Sequence, residues 1–158
     1  MNLEEKIVKK LLGIGYTITT AESCTGGLLA GRLLNVSGAS AVYNEGHITY
    51  SNEAKERLLG VSHETLEEYG AVSEQTAKEM AEGAARVANA EVGLSTTGIA
   101  GPGGGTPEKP VGLVYVGCHI AGKTYVKECR FHGNREENRN AAVEAVLELL
   151  YEKLIGTV

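Results

Sequence analysis

Two nucleophilic side chains stand next to each other in the segment Ala21-Glu22-Ser23-Cys24-Thr25-Gly26-Gly27. The segment separates a β-like run, Tyr16 to Thr20, from a helix-like apolar run, Leu28 to Leu34. A small nucleophile that leaves a strand and opens a helix is expected where unpaired backbone N–H groups converge at the positive end of the helix dipole. Such donors suit the oxyanion of an acyl-transfer reaction. The glycines that follow would let a substrate approach the backbone closely. Ser23 could equally be a plain helix cap, so the chemistry depends on a partner base.

Serine is barely ionised at neutral pH and needs a group to take its proton. The four histidines are poor candidates. His47 falls in a strand-like run, His63 at a helix start, His119 in a hairpin and His132 after it, and none has an orienting carboxylate at a spacing that argues for a triad. Lys55, in Thr49-Tyr50-Ser51-Asn52-Glu53-Ala54-Lys55, falls in the first turns of a helix that leaves a strand end. A lysine held away from water near helix N-termini has its pKa lowered, which is what a general base requires. Tyr50 could add a hydrogen bond to the same cluster. Cys24 is the rival nucleophile, because a thiolate is intrinsically more reactive and a helix N-terminus favours it.

Two further features could bind rather than react. The run Thr97-Gly98-Ile99-Ala100-Gly101-Pro102-Gly103-Gly104-Gly105-Thr106 could present backbone N–H groups to a phosphate, or could simply be a flexible connection. It is neither a Walker loop nor a dinucleotide fingerprint, since the required Lys and third Gly are absent. Arg135 and Arg139 lie one turn apart and could clamp an anion, or could pair with Glu136 and Glu137 on a solvated face.

These residues need elements to hold them. Residues 3–12 show one apolar face and end at Gly13, residues 16–20 read as a strand, and helical spacing returns over 26–35. Ala41 to Tyr50 reads as a second strand, followed by short helices over 52–59 and 63–69 and a longer one over 74–88 capped by Ser73. Residues 91–97, 111–120 and 123–131 read as strands, the last two joined at Ala121-Gly122 as a hairpin. Asn134 with Glu137 opens a final helix striped by Val143, Val146, Leu147, Leu150 and Leu154. The order predicts an α/β fold: a single-domain, three-layer α/β/α sandwich over residues 1–158 with a mixed sheet. All three unusual segments then fall at the carboxyl ends of strands, where such sheets bind ligands.

Composition narrows the classes. The chain has 158 residues and a formal charge of −5 without a basic run, so no nucleic-acid partner is expected. No apolar stretch approaches the roughly 20 residues of a membrane span, and Met1 to Lys6 lacks the basic character of a signal region, so no membrane and a cytoplasmic address are expected. Cys24, Cys118 and Cys129 form neither a disulfide framework nor a metal pair; Cys118 and Cys129 could face each other across the hairpin, but are expected reduced and buried. No metal or other cofactor is implied.

Four motifs in order resemble the CinA C-terminal domain family: Ala21 to Gly27, Thr49 to Lys55, Gly70-Ala71-Val72-Ser73, and Thr97 to Pro102 running on through Lys109-Pro110-Val111-Gly112. The resemblance spans about residues 3–155. Characterised members of that family are nicotinamide-nucleotide amidases, which hydrolyse the carboxamide of nicotinamide mononucleotide to nicotinate mononucleotide and ammonia in NAD recycling. The resemblance therefore implies Ser23 as nucleophile, Lys55 as its base and Tyr50 as a supporting residue. It implies that Thr25, Gly26, Thr97, Gly98, Gly101, Arg135 and Arg139 line the nucleotide site. It also implies a homo-oligomer, a dimer or larger. The family more often has Asp where Asn134 stands. Larger relatives carry a preceding region that resembles molybdopterin-binding proteins and hydrolyses ADP-ribose, an activity not expected of this chain.

Overall fold

The computed structural model describes residues 1–156. Asn2 caps α1 (Leu3–Ile14) by accepting from the Glu5 N–H, and Gly15 closes it in the left-handed conformation. Next come β1 (Ile18–Glu22), α2 (Leu28–Leu34) and a 3-10 turn at Ala39–Ala41. They lead to β2 (His47–Ile48), α3 (Asn52–Leu59), α4 (His63–Tyr69) and α5 (Glu74–Ala88). Serines 51, 62 and 73 cap α3, α4 and α5 in turn. The chain ends with β3 (Val92–Gly98), β4 (Leu113–Ile120), β5 (Lys123–Arg130) and α6 (Arg135–Ile155). Ala121 and Gly122 both take positive φ, +49° and +84°, as a two-residue hairpin turn of the primed kind demands.

Among the described residues five strands form one mixed sheet in the order β2-β1-β3-β4-β5. β1 runs parallel to β2 and β3, while β4 and β5 are antiparallel additions. One face is covered by α1, α2 and α6, whose Ile7, Leu11, Leu29, Leu33, Leu147 and Leu150 are buried in the larger core cluster. Arg32 ties these three helices together, with Nε on Glu4 and Nη2 on Glu144, both at 2.7 Å. The other face is covered by α5, with α3 and α4 packed outside it, and its smaller core unites Ala21, Leu59, Leu66, Met80 and Ala84. The expected three-layer α/β fold with a mixed sheet is what the chain forms. Because β1, β2 and β3 are parallel, their carboxyl ends gather residues 22–27, 49–55 and 97–101 at one end of the sheet.

The second strand differs most from expectation. Of residues 41–50 only His47 and Ile48 join the sheet, with one isolated bridge from Tyr43 to Ile18. The Tyr43 hydroxyl instead bonds Thr20 Oγ1 at 2.8 Å and lies where any side chain at Gly46 would sit. That packing interrupts the ladder between Tyr43 and His47. β1 itself lies two residues later than expected, because Thr17 N–H is held by the Glu91 carboxylate at 2.7 Å outside the strand. The two hairpin cysteines do not face each other. Register places Cys129 opposite Val114 and Cys118 opposite Tyr125, and both thiols are buried and free.

Candidate active site

Ser23 follows directly on β1, and its N–H donates to the Thr96 carbonyl of β3 at 2.9 Å. This parallel-sheet bond anchors the nucleophile candidate at the strand end. Lys55 reaches it from the first turn of α3. Its Nζ lies 3.0 Å from Ser23 Oγ, 2.9 Å from the Thr49 carbonyl and 3.3 Å from the Tyr50 carbonyl. Lys55 is 1% exposed and Ser23 7%. Burial holds the Lys55 amine down to about 8 from its ordinary 10.5. Among the described residues no carboxylate pairs with it. Three oxygens thus surround Nζ: a neutral amine can give two N–H bonds to the carbonyls and turn its lone pair to the serine hydroxyl, which then donates to it.

The backbone N–H groups expected to hold an oxyanion are not those of the helix start. Glu22, 1% exposed, accepts from Leu29 N–H at 2.9 Å and Ala30 N–H at 3.0 Å, so the first turn of α2 is already occupied by a carboxylate. Thr25 Oγ1 also donates to Glu22 at 2.5 Å and bonds Thr96 Oγ1 at 2.7 Å. Ser23 is separated from α2 by the turn Cys24–Gly27, and its carbonyl accepts from Gly26 N–H at 3.2 Å. Among the described residues the N–H groups of Cys24 and Thr25 meet no acceptor. These two donors, not the helix dipole, stand free beside the serine. The sequence carried no signal for the role of Glu22, since a strand-end glutamate is ordinarily exposed.

A cleft of about 240 Å³ opens in front of the pair, lined by Ser23, Cys24, Tyr50, Lys55, Ala71, Val72, Thr97, Gly98, Ala100 and Arg135. Of the residues expected at a substrate, Thr97, Gly98 and Arg135 are in this wall. Thr97 Oγ1 donates to the carbonyl of Ala71, another residue of this wall, at 2.8 Å. Gly98 has no room for a side chain beside Leu113 and Val114. Arg135 donates to the Gly101 carbonyl at 2.9 Å and to the Tyr50 hydroxyl at 3.3 Å. Thr25, Gly26, Gly101 and Arg139 are not in the wall. Thr25 is fully buried against Glu22, and Arg139 grips carbonyls behind the turn instead of facing an anion. Tyr50 contributes its carbonyl to Lys55, but its ring is 65% exposed and its hydroxyl is at Arg135, not at Ser23. A larger hollow between α1 and α6, lined by Lys6, Lys9, Lys10 and Tyr151, lies outside this constellation.

The start of α6 is held tightly. Asn134 and Glu137 form a reciprocal capping box, and Asn serves there as well as the Asp more usual in the resembling family. Asn138, 1% exposed, donates to the carbonyls of Ala100 and Gly133, each at 3.0 Å, and accepts from Gly133 N–H at 2.9 Å. Sequence reasoning missed it, because a helical Asn gives no sign of being buried. Cys24 lines the cleft, yet burial pushes its thiol up to about 11. Its thiolate is scarce at neutral pH.

Comparison with known proteins gives this arrangement a family. The model of the CinA C-terminal domain matches residues 1–154. A putative competence-damage inducible protein of Clostridium botulinum is 55% identical over 153 residues, 97% of this chain and 37% of the relative. A CinA-like protein of Kosmotoga olearia is 55% identical over 99% of this chain and 38% of its own length. The chain thus spans under two fifths of the curated relatives it matches. Among solved structures, a competence/damage inducible protein from Agrobacterium tumefaciens superposes with TM-score 0.93 at 46% identity, covering 95% of this chain and 92% of that one. A competence damage-inducible protein from Klebsiella pneumoniae gives TM-score 0.95 at 38% identity, covering 99% and 97%. With its full layered fold and nearly its whole length matched, the chain belongs to the CinA C-terminal domain family.

Proposed function

We propose that this chain is an amidohydrolase that converts nicotinamide mononucleotide and water to nicotinate mononucleotide and ammonia, with Ser23 as nucleophile and Lys55 as base. The observation that carries the reading is the 3.0 Å contact between Ser23 Oγ and the buried Nζ of Lys55. Burying a lysine without a carboxylate costs stability, which a module that only bound nucleotides would have no reason to bear.

Neutral Lys55 takes the serine proton as Oγ attacks the carboxamide carbon. The negative charge gathers on the former carbonyl oxygen, and the N–H of Cys24, the residue after the nucleophile, donates to it. Lys55, now an ammonium held by the carbonyls of Thr49 and Tyr50, returns its proton to the amide nitrogen. The C–N bond breaks and ammonia leaves, with an ester on Ser23. Water then attacks that ester, Lys55 again taking a proton and passing it to Ser23 Oγ. The cleft suits the pyridine carboxamide, and Arg135 at its border offers a cation to the nucleotide phosphate.

Ammonia release from nicotinamide mononucleotide by wild type, Ser23→Ala, Cys24→Ala and Lys55→Ala tests the assignment. The expected result is activity within a few-fold of wild type in Cys24→Ala and a loss of about 10⁴-fold or more in the other two. Activity lost only with Cys24 would move the nucleophile to the thiol. A folded wild type that releases no ammonia would overturn the substrate assignment.

A further inference from the structure

We infer that Arg139 is a positioning residue that sets the backbone of the nucleophile turn so that the Cys24 N–H is presented as the oxyanion donor. The inference rests on Ser23 being the nucleophile. Arg139 sits in the second turn of α6, and its guanidinium forks onto the turn, with Nε on the Cys24 carbonyl at 2.9 Å and Nη2 on the Thr25 carbonyl at 3.0 Å. A trans peptide is planar, so its N–H points opposite to its C=O. Holding the Thr25 carbonyl toward α6 therefore turns the Gly26 N–H the other way, where it donates to the Ser23 carbonyl at 3.2 Å. That bond in turn fixes the Ser23–Cys24 plane and leaves the Cys24 N–H on the side away from the Ser23 carbonyl, with no acceptor among the described residues. By the same geometry the grip on the Cys24 carbonyl orients the Thr25 N–H. One fork thus determines three consecutive peptide planes.

Other features of the turn agree with this. Gly26 takes φ +53°, and a Cβ there would come within 3.2 Å of Arg139 Nη2, so the glycine permits both the conformation and the close approach of the guanidinium. Asn138 and the capping box fix the helix from which Arg139 projects. Lysine cannot replace the fork, because one ammonium on a flexible stem does not reproduce two parallel N–H bonds to adjacent carbonyls. Arg135, one turn earlier, faces the cleft, so the two arginines divide the labour: one borders the substrate and the other shapes the catalyst.

The test is the kinetics of Arg139→Met and Arg139→Lys with nicotinamide mononucleotide, together with the rate at which a fluorophosphonate labels Ser23. Far-UV circular dichroism confirms folding. Arg139→Met is expected to lower kcat about 10²-fold, the worth of an oxyanion donor, with KM within about threefold of wild type. Labelling should slow in parallel, the pH at half-maximal rate should stay in place, and guanidinium ion added to Arg139→Ala should restore part of kcat. Arg139→Lys should fall between. A raised KM with kcat retained would make Arg139 a phosphate ligand and overturn the inference while leaving the amidase reading intact. If wild type labels at Ser23 but does not release ammonia, the substrate assignment fails and the labelling rates decide the role of Arg139. A wild type that neither labels nor turns over overturns both.

Discussion

A single buried amine decides how this site responds to pH. In the proposed mechanism Lys55 must be neutral to accept the proton of Ser23, and burial brings its pKa down to about 8. Amidase activity should therefore rise about tenfold per pH unit below that value and level off above it. The same shift leaves a mark on stability. The folded chain binds the Lys55 proton less tightly than the unfolded chain, whose ordinary value is 10.5. Between about pH 8 and 10.5 the unfolded state holds the extra proton, so wild-type stability should rise with pH relative to Lys55→Met. Below about pH 8 the penalty is present in full. Urea denaturation of the two proteins across that range checks the sign, and a difference that stayed constant or fell with pH would refute the burial argument. Of the candidate site residues, the pairing of Ser23 with Lys55 was legible because their types and the strand-to-helix placement of both narrowed the choice. Glu22, Asn138 and the orienting grip of Arg139 were not, since a charged or amide side chain looks the same in sequence whether it meets solvent or a backbone carbonyl.

Elements are placed here by close approaches that helix propensity alone would argue against. Gly83 lies in the middle of α5, where Ala would be favoured by about 1 kcal/mol. In the folded chain a Cβ at Gly83 would collide with the Leu59 carbonyl at the end of α3. Gly83→Ala should therefore destabilise by roughly 2 kcal/mol or more, contrary to its propensity, because backbone cannot yield as a flexible side chain does. Since α3 carries Lys55, the same substitution should lower kcat, which thermal denaturation and an activity assay at 25 °C would measure together. The helices themselves were legible from caps and periodicity. Ser73 and the Asn134–Glu137 box cap where the sequence placed helix starts, and Ser51 and Ser62 prove to cap α3 and α4 in the same way. The strand expected over 41–50 was not, because its β-branched and aromatic residues are spent on a tyrosine that folds back onto Thr20.

Across the whole molecule, α6 connects core to chemistry. Its first two turns carry Arg135, Asn138 and Arg139, and its later turns bury Val146, Leu147, Leu150 and Leu154 against the sheet. Leu150→Ala should cost about 3 kcal/mol and lower Tm by roughly 6–12 °C. Because the cavity would lie turns away from the capping box, kcat at 25 °C should stay near wild type. A large loss of kcat with an unchanged Tm would show that the helix start is not anchored by its own cap. Among the described residues no helix is long and apolar enough to cross a membrane.

The sequence by itself determined the class of fold, the approximate extents of the helices, the caps at Ser73 and Asn134, and the nucleophile and base candidates, because periodicity, capping and side-chain chemistry are local properties; the first helix runs past the expected Gly13 to Ile14 and closes at Gly15. The tertiary structure decided which donors are left free. It filled the start of α2 with Glu22, turned Arg139 onto the carbonyls behind Ser23, and left the N–H groups of Cys24 and Thr25 without acceptors among the described residues. Whether a backbone donor is spent or available depends on what packs against it from residues as far away as α6, and that is set only when the layers close.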